Sequence, residues 1–322
     1  MKTNLRDFNI SWFATVLGSG GVALVSLPFY PQLTLVLTYI LTFVFAVLTL
    51  IWIAKIIKHG NVVKSEIQHV VLGNYYPLQP ISAVILAVLF KKLNFGFDVL
   101  FLIYGAVLIF LFTVYLSYHF FANITPQLNH IHGGWFIPPV STILVTDALL
   151  LYPPSKMLFA ISLIYFGMRV MLFLFLATIL FLRLINHELL PSELAPTNFI
   201  LLAPIGILIV DFLSIFRHAD LLFGSFSTHI ALILSISLWG FGLWAFIVNA
   251  MLFVKYIKRE FPFFLGWWSY VFPTAAFTLG TIVLSHHIEL FKPLALALYG
   301  LLMFVWISVS LKTIKLLVSK ST

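Results

Sequence analysis

The stretch GGWFIPPVSTILVT, residues 133–146, sets Pro138 and Pro139 inside an apolar run that carries no charge. A proline in a helix interior removes one hydrogen bond and clashes with the carbonyl a turn earlier, so the run reads as a helix with a built-in break. Similar runs lie on either side, broken at Gly20, Pro80, Pro204 and Pro273, and with Pro139 the five marks fall about sixty to seventy residues apart. Such an interval holds two membrane-spanning helices of about 20 residues each. The spacing predicts ten spans in one transmembrane domain covering 1–322: 8–28, 32–56, 77–92, 97–121, 134–152, 155–183, 195–216, 226–255, 265–286 and 291–316. The odd spans hold the breaks, with Gly18, Gly20 and Gly21 in the first, Pro77 and Pro80 in the third, Pro138 and Pro139 in the fifth, Pro196 and Pro204 in the seventh and Pro273 in the ninth. Even spans such as Leu33 to Ile53 and Val99 to Phe121 are long and uninterrupted by proline. A bilayer tolerates broken helices where neighbours or water re-satisfy the freed backbone groups, so breaks in alternate spans predict a shared internal feature. The expected fold is all-α: five helical hairpins in a quasi-fivefold ring, with kinked odd helices inside around a pore and straight even helices outside.

Composition agrees with this frame. Of 322 residues, 62% are hydrophobic and 9% charged, against roughly a quarter charged in soluble domains. Ten spans leave only short connections. The apolar run from Phe8 to Leu27 enters the repeat pattern directly and has no convincing cleavage site, so it reads as a retained span. The chain has no cysteine, which excludes disulfides, thiolate metal sites and thiol catalysis. The net charge of +8 is scattered over helix ends and forms no basic arm, which argues against nucleic acid. Ten spans put Lys2, Arg6, Lys55, Lys58, Lys64, Arg183, Lys255, Lys258, Arg259, Lys312, Lys315 and Lys320 on one side, and Lys91, Lys92, Lys156, Arg217 and Lys292 on the other. The richer side is expected to be cytoplasmic, and with it both termini, in the cell's inner membrane.

Four stretches carry a family resemblance: SWFATVLGSGGVAL at 11–24, GGWFIPPVSTI at 133–143, LAPTNFILLAPIG at 194–206 and WWSYVFPTAAFTLGT at 267–281. In order and spacing the chain resembles the tellurite-resistance and dicarboxylate transporter family, which includes bacterial TehA, plant guard-cell slow anion channels, fungal malate permeases and fungal sulfite efflux pumps. The resemblance implies a homotrimer in which every protomer has its own pore at the centre of ten helices. It also implies that a phenylalanine on the ninth helix plugs that pore, and Phe272, directly before Pro273, matches it. Among 34 phenylalanines most must pack or face lipid, but the neighbouring proline can turn this side chain toward the axis. A ring across a narrow conduit closes it by steric block and dewetting.

The remaining lining is expected from Gly20, Gly21, Pro80, Ser82, Pro139, Ser141, Thr142, Pro204, Gly206, Pro273 and Thr274. The glycines read equally well as a helix-packing face. The hydroxyls of Ser141, Thr142 and Thr274 either donate to a passing anion or bond back to their own helices, and the sequence leaves both open. No lysine or arginine lies in the middle of an odd span, so selectivity is expected from hydroxyls, helix dipoles and basic residues at the mouths. Arg169 is the one basic residue deep in a span, and a structural role at a bundle or subunit interface is expected for it. Asp147 and Asp211 follow the breaks of the fifth and seventh spans and can pair with Arg217 or Arg169, or form an acidic vestibule. His130 with His132, and His286 with His287, lack the spacing and partners of a metal site. Neither cofactor motifs nor a catalytic constellation occur. The expected activity is an anion channel or uniporter for halide, nitrate or oxyanions; the alternative is a proton-coupled malate, tellurite or sulfite transporter using Asp147, Asp211 or Glu193.

Overall fold

The computed structural model describes residues 5–124, 126–224, 228–258 and 261–321, with side chains described through 319. Lys2, Arg259 and the Lys320 side chain, used above for orientation, lie outside the described residues. Every regular element among the described residues is helical. In chain order the α-helices are α1 (Phe13–Ser26), α2 (Pro31–Gln68), α3 (Leu78–Lys92), α4 (Asp98–Ala122), α5 (Ile137–Leu149), α6 (Lys156–Asn186), α7 (Leu202–Phe223), α8 (Thr228–Ile257), α9 (Val271–Ser285) and α10 (Phe291–Ser321). Eight of the helical segments are long and apolar enough to cross a membrane, and Ile10–Ser26 is a shorter apolar one. The chain is a multi-pass membrane protein.

The two sets of helices differ in what covers them. In the most apolar stretch of α2, α4, α6, α8 and α10, 17–28% of residues are buried; in those of α3, α7 and α9 the share is 72–89%. The even helices present large side chains such as Phe43, Leu50, Phe121, Met251 and Phe304 outward. A helix apolar all round and bare on one side fits a lipid solvent, where no polar outer face is needed. The odd helices pack on one another instead. α1 touches α3 and α9, α3 touches α5, α5 touches α7, and α7 touches α9, while each even helix lies against the odd helix before it and the one after.

The prolines sit at one repeated place. Pro80, Pro139, Pro204 and Pro273 are each the third residue of their α-helix, and a short 3-10 segment precedes each helix: Leu72–Tyr75, Gly133–Phe136, Ala195–Leu201 and Leu265–Tyr270. α1 likewise follows Ile10–Trp12, without a proline. First-turn N–H groups have no intrahelical acceptor, so a proline there forfeits no helix hydrogen bond. The expectation of interior kinks is corrected on this point: the interruption is a 3-10-to-α junction near the start of each odd span. α1 itself runs unbroken through Gly18, Gly20 and Gly21. An added Cβ would come within 2.7 Å of the Trp268 ring at Gly18 and 2.9 Å of Ile85 at Gly20, so these two glycines allow close helix packing.

One even helix is not straight. α2 has non-helical dihedrals at His59, and beyond that point it folds back so that Lys55 meets Glu66. In a straight helix eleven residues rise about 16 Å, beyond the reach of the pair. Buried Lys55 donates to both Glu66 oxygens at 2.8 and 2.9 Å and to the Phe8 carbonyl at 2.7 Å, and Tyr76 donates to Glu66 at 2.6 Å. All three ammonium donors have acceptors, which offsets the desolvation of the charge.

Candidate functional site

The N-terminal ends of the odd helices surround a cavity of about 570 Å³. α1 contributes Ala14 and Leu17, α3 Leu78 and Ile81, α5 Ile137 and Val140, α7 Ala203, and α9 Phe272 and Pro273. The 3-10 segments supply Trp12, Leu72, Tyr75, Ile200, Gly266 and Trp268 to the wall, and exposed Asp7, Asn9 and Glu193 stand toward solvent. Leu17, Ile81, Val140, Ala203 and, on α9, Phe272 and Pro273 are the lining residues furthest along their helices, and these apolar side chains make up the cavity's deep end, its floor.

Phe272 is 8% exposed. It precedes Pro273 in the first turn of α9, where the change from 3-10 to α geometry carries the side chain off the outer face. Its ring lies toward α1: a Cβ added at Gly21 would stand 3.2 Å from Phe272 Cδ2 and 3.0 Å from Ala275 Cβ. The missing side chain at Gly21 thus leaves the room that the ring occupies. Phe277, one turn and a half further on, points elsewhere and stacks on Trp239 of α8 at 5.8 Å.

Of the residues that the sequence sets around a pore, Phe272 and Pro273 stand in the cavity wall; Gly20, Gly21, Pro80, Ser82, Pro139, Ser141, Thr142, Pro204, Gly206 and Thr274 are buried outside it. The hydroxyls are engaged with backbone. Ser82 donates to Leu78 O at 2.6 Å, Ser141 to Ile137 O at 2.6 Å, Thr142 to Pro139 O at 2.6 Å and Thr274 to Tyr270 O at 2.6 Å. Between the two options for these groups, the structure has back-bonding, which leaves no hydroxyl hydrogen for an ion. Gly206 lets α7 touch α9, since its Cβ would fall 2.4 Å from the Ala276 backbone.

The electrostatics of the cavity come from the backbone. Five odd-helix starts face it, each led in by a 3-10 segment. At α1, α5, α7 and α9 the first helical N–H bonds to a 3-10 carbonyl, so what reaches the cavity is the positive end of the backbone dipoles, weakened by those bonds. The wall holds Asp7 and Glu193 and neither lysine nor arginine. The basic mouth residues expected from the sequence are therefore not part of this entrance.

Arg169, Asp211 and Asp147 lie beyond the floor. Arg169 of α6 donates to Asp211 of α7, both fully buried, and its guanidinium lies 5.5 Å from the Phe166 ring centre. The Asp147 carboxyl of α5 lies near that of Asp211. Of the partners open to Asp211, Arg169 is the one it takes, and Arg217 is exposed. The cluster brings three helices together within one protomer.

The histidines are dispersed. His130, His286 and His287 are exposed, whereas His132 is buried and its Nδ1 accepts the Gly134 N–H at 3.1 Å. Burial, and secondarily the nearby Arg183 charge, pushes the His132 imidazole down to about 4. Leu17, Ile81, Val140, Ala203 and Tyr75 were not singled out by sequence reasoning; the register of the proline one position away was the available signal for Ile81, Val140 and Ala203.

Residues 7–314 match a family model described as voltage-dependent anion channel. Two proteins of Methanocaldococcus jannaschii, named as uncharacterized transporters MJ0762 and MJ0576, are each 30% identical to the chain. The first alignment covers 98% of this chain and 96% of the relative, the second 96% and 93%.

Proposed function

The chain belongs to the voltage-dependent anion channel family, and on that premise we propose that each protomer conducts small anions through a central pore held shut by Phe272. The family and the transporter-named relatives support anion transport in general. One observation carries the finer reading: the starts of all five odd helices converge on one cavity whose lining includes Phe272 and neither lysine nor arginine. The cavity admits an anion and the helix ends attract it, while the apolar floor stops it. The contacts of α1, α3, α5, α7 and α9, each with the next and the last with the first, support a quasi-fivefold ring about that path.

With ten spans in one domain, both termini share a side, and the excess of basic residues favours the cytoplasmic face of the inner membrane. The cavity is then the cytoplasmic entrance. The homotrimer rests on the family resemblance, and the broad apolar outer face gives it a surface. With no fixed cation in the wall, the path distinguishes weakly among halide, nitrate and small oxyanions. A hundredfold preference would need about 2.7 kcal/mol, more than an apolar floor and helix dipoles supply.

A second reading has its own observation. The Asp147 and Asp211 carboxyls are neighbours beside buried Arg169, and two carboxyls close together disfavour a second negative charge. A proton-coupled transporter of malate, tellurite or sulfite type would use such a pair. Current in planar bilayers separates the two. A channel gives anion current that reverses at the anion equilibrium potential without a pH gradient; uptake that stops when the gradient is removed replaces this reading with the coupled one.

A further inference from the structure

Arg183, in the last turn of α6, is 4% exposed, and its Nε and Nη1 have no hydrogen-bond partner among the described residues. It takes part in no salt bridge there either. A favourable helix C-terminus explains a cation at this position but not two buried N–H groups without an acceptor. A guanidinium stays charged in any protein setting, so removal from water calls for a counter-charge.

His132 is 1% exposed and its Nε2 is likewise buried without a partner. The tautomer follows from the other nitrogen. Nδ1 accepts from the Gly134 N–H, so in the neutral ring the proton sits on Nε2 and makes it a donor. α6, which carries Arg183 in its last turn, packs against the 3-10 segment Gly133–Phe136 that His132 caps, and the Arg183 charge is felt at the imidazole. Both side chains thus offer donors with nothing to receive them, beside one uncompensated positive charge.

We infer that Arg183 and His132 hold a small monovalent inorganic anion of the halide class. Their burial excludes a lipid headgroup. A water would accept hydrogen bonds from both but would leave the charge unbalanced. The site lies one ring behind the entrance cavity: Tyr75, in the cavity wall, stacks on His132 with centroids 6.5 Å apart and planes at 21°. It is separate from the conduction path proposed above and does not depend on conduction.

The test is bromide binding to the detergent-solubilised full chain. Anomalous diffraction from bromide-grown crystals is expected to give a peak between the Arg183 guanidinium and His132 Nε2, and bromide is expected to raise the thermal midpoint. Arg183→Met, which keeps the volume and removes the charge, is expected to weaken the bromide midpoint at least tenfold. His132→Asn keeps an acceptor for the Gly134 N–H and loses the second donor, so it is expected to weaken binding less. If Arg183→Met does not fold, the wild-type peak and the His132→Asn shift decide alone. Absence of a peak there, density that gives no anomalous signal, or unchanged bromide stabilisation in either folded variant would overturn the inference. Stabilisation by phosphate but not bromide would overturn it too. Bound bromide without current in a Phe272→Ala protein would remove the conduction reading and leave this one standing; current without bound bromide would do the reverse.

Discussion

Before the floor, the five odd helices stand apart around a cavity of about 570 Å³; one turn beyond it, α7 and α9 meet backbone to backbone at Gly206 and Ala276. The near side is loose because it is built from 3-10 segments and helix starts, which diverge from the helices they lead into. The far side is tight because glycines bring the helices together and Arg169 pins α6 to Asp211 of α7. Phe272 lies at the boundary. On the proposed reading, access is generous on one side and the barrier begins at the layer of side chains that includes Phe272.

The largest expected effect falls on the tight side. Asp211→Ala leaves the Arg169 charge buried without its partner, which costs about 3–5 kcal/mol, and the thermal midpoint of the purified protein should fall accordingly. A small drop would mean that water reaches Arg169 and that the far side is not tight. Gly206→Ala comes next, since its Cβ would lie 2.4 Å from α9 backbone, and overpacking of this kind costs about 1–3 kcal/mol. An unchanged midpoint would show that the two helices separate easily.

The boundary and the near side give smaller effects. Gly21→Ala sets a methyl 3.2 Å from the Phe272 ring, a contact relieved by a few tenths of an ångström of ring motion. Anion flux into liposomes should rise a few-fold with assembly intact, and an unchanged flux would separate the ring position from the barrier. Glu193→Gln at the rim should raise flux by about a factor of two at low salt and by less at high salt, where screening shortens its reach. An effect that does not depend on salt would mean that Glu193 acts by contact.

Helical class and membrane setting were legible, because long uncharged apolar runs have few other uses. The prolines were legible as marks but not as geometry. Pro139 in a helix interior and Pro139 in a first turn are the same letter, and only the 3-10 segment over Gly133–Phe136 tells them apart. Ser141, Thr142 and Thr274 were left with two options for a related reason, since a hydroxyl bonded back to its own helix and one facing an ion need no difference in sequence. Phe272 stood out from the other phenylalanines through Pro273 and the family resemblance, not through its own chemistry. The pairing of Arg169 with Asp211 spans 42 positions and had a rival in Arg217. Nothing in the sequence related His132 to Arg183, because their placement depends on how α6 lies against the start of the fifth span.

Anion current through Phe272→Ala in planar bilayers tests the central claim most directly. Truncation removes the ring from the floor while Leu17, Ile81, Val140 and Ala203 stay in place, so the conductance should rise at least tenfold over wild type, as expected when a steric and dewetting block is removed. Phe277→Ala is the control; it empties a packed site against Trp239 and Gly242, where such a change costs about 3–5 kcal/mol, and should lower stability without raising current. A well-assembled Phe272→Ala protein that conducts no more than wild type, or a control that gains as much current, would contradict the account.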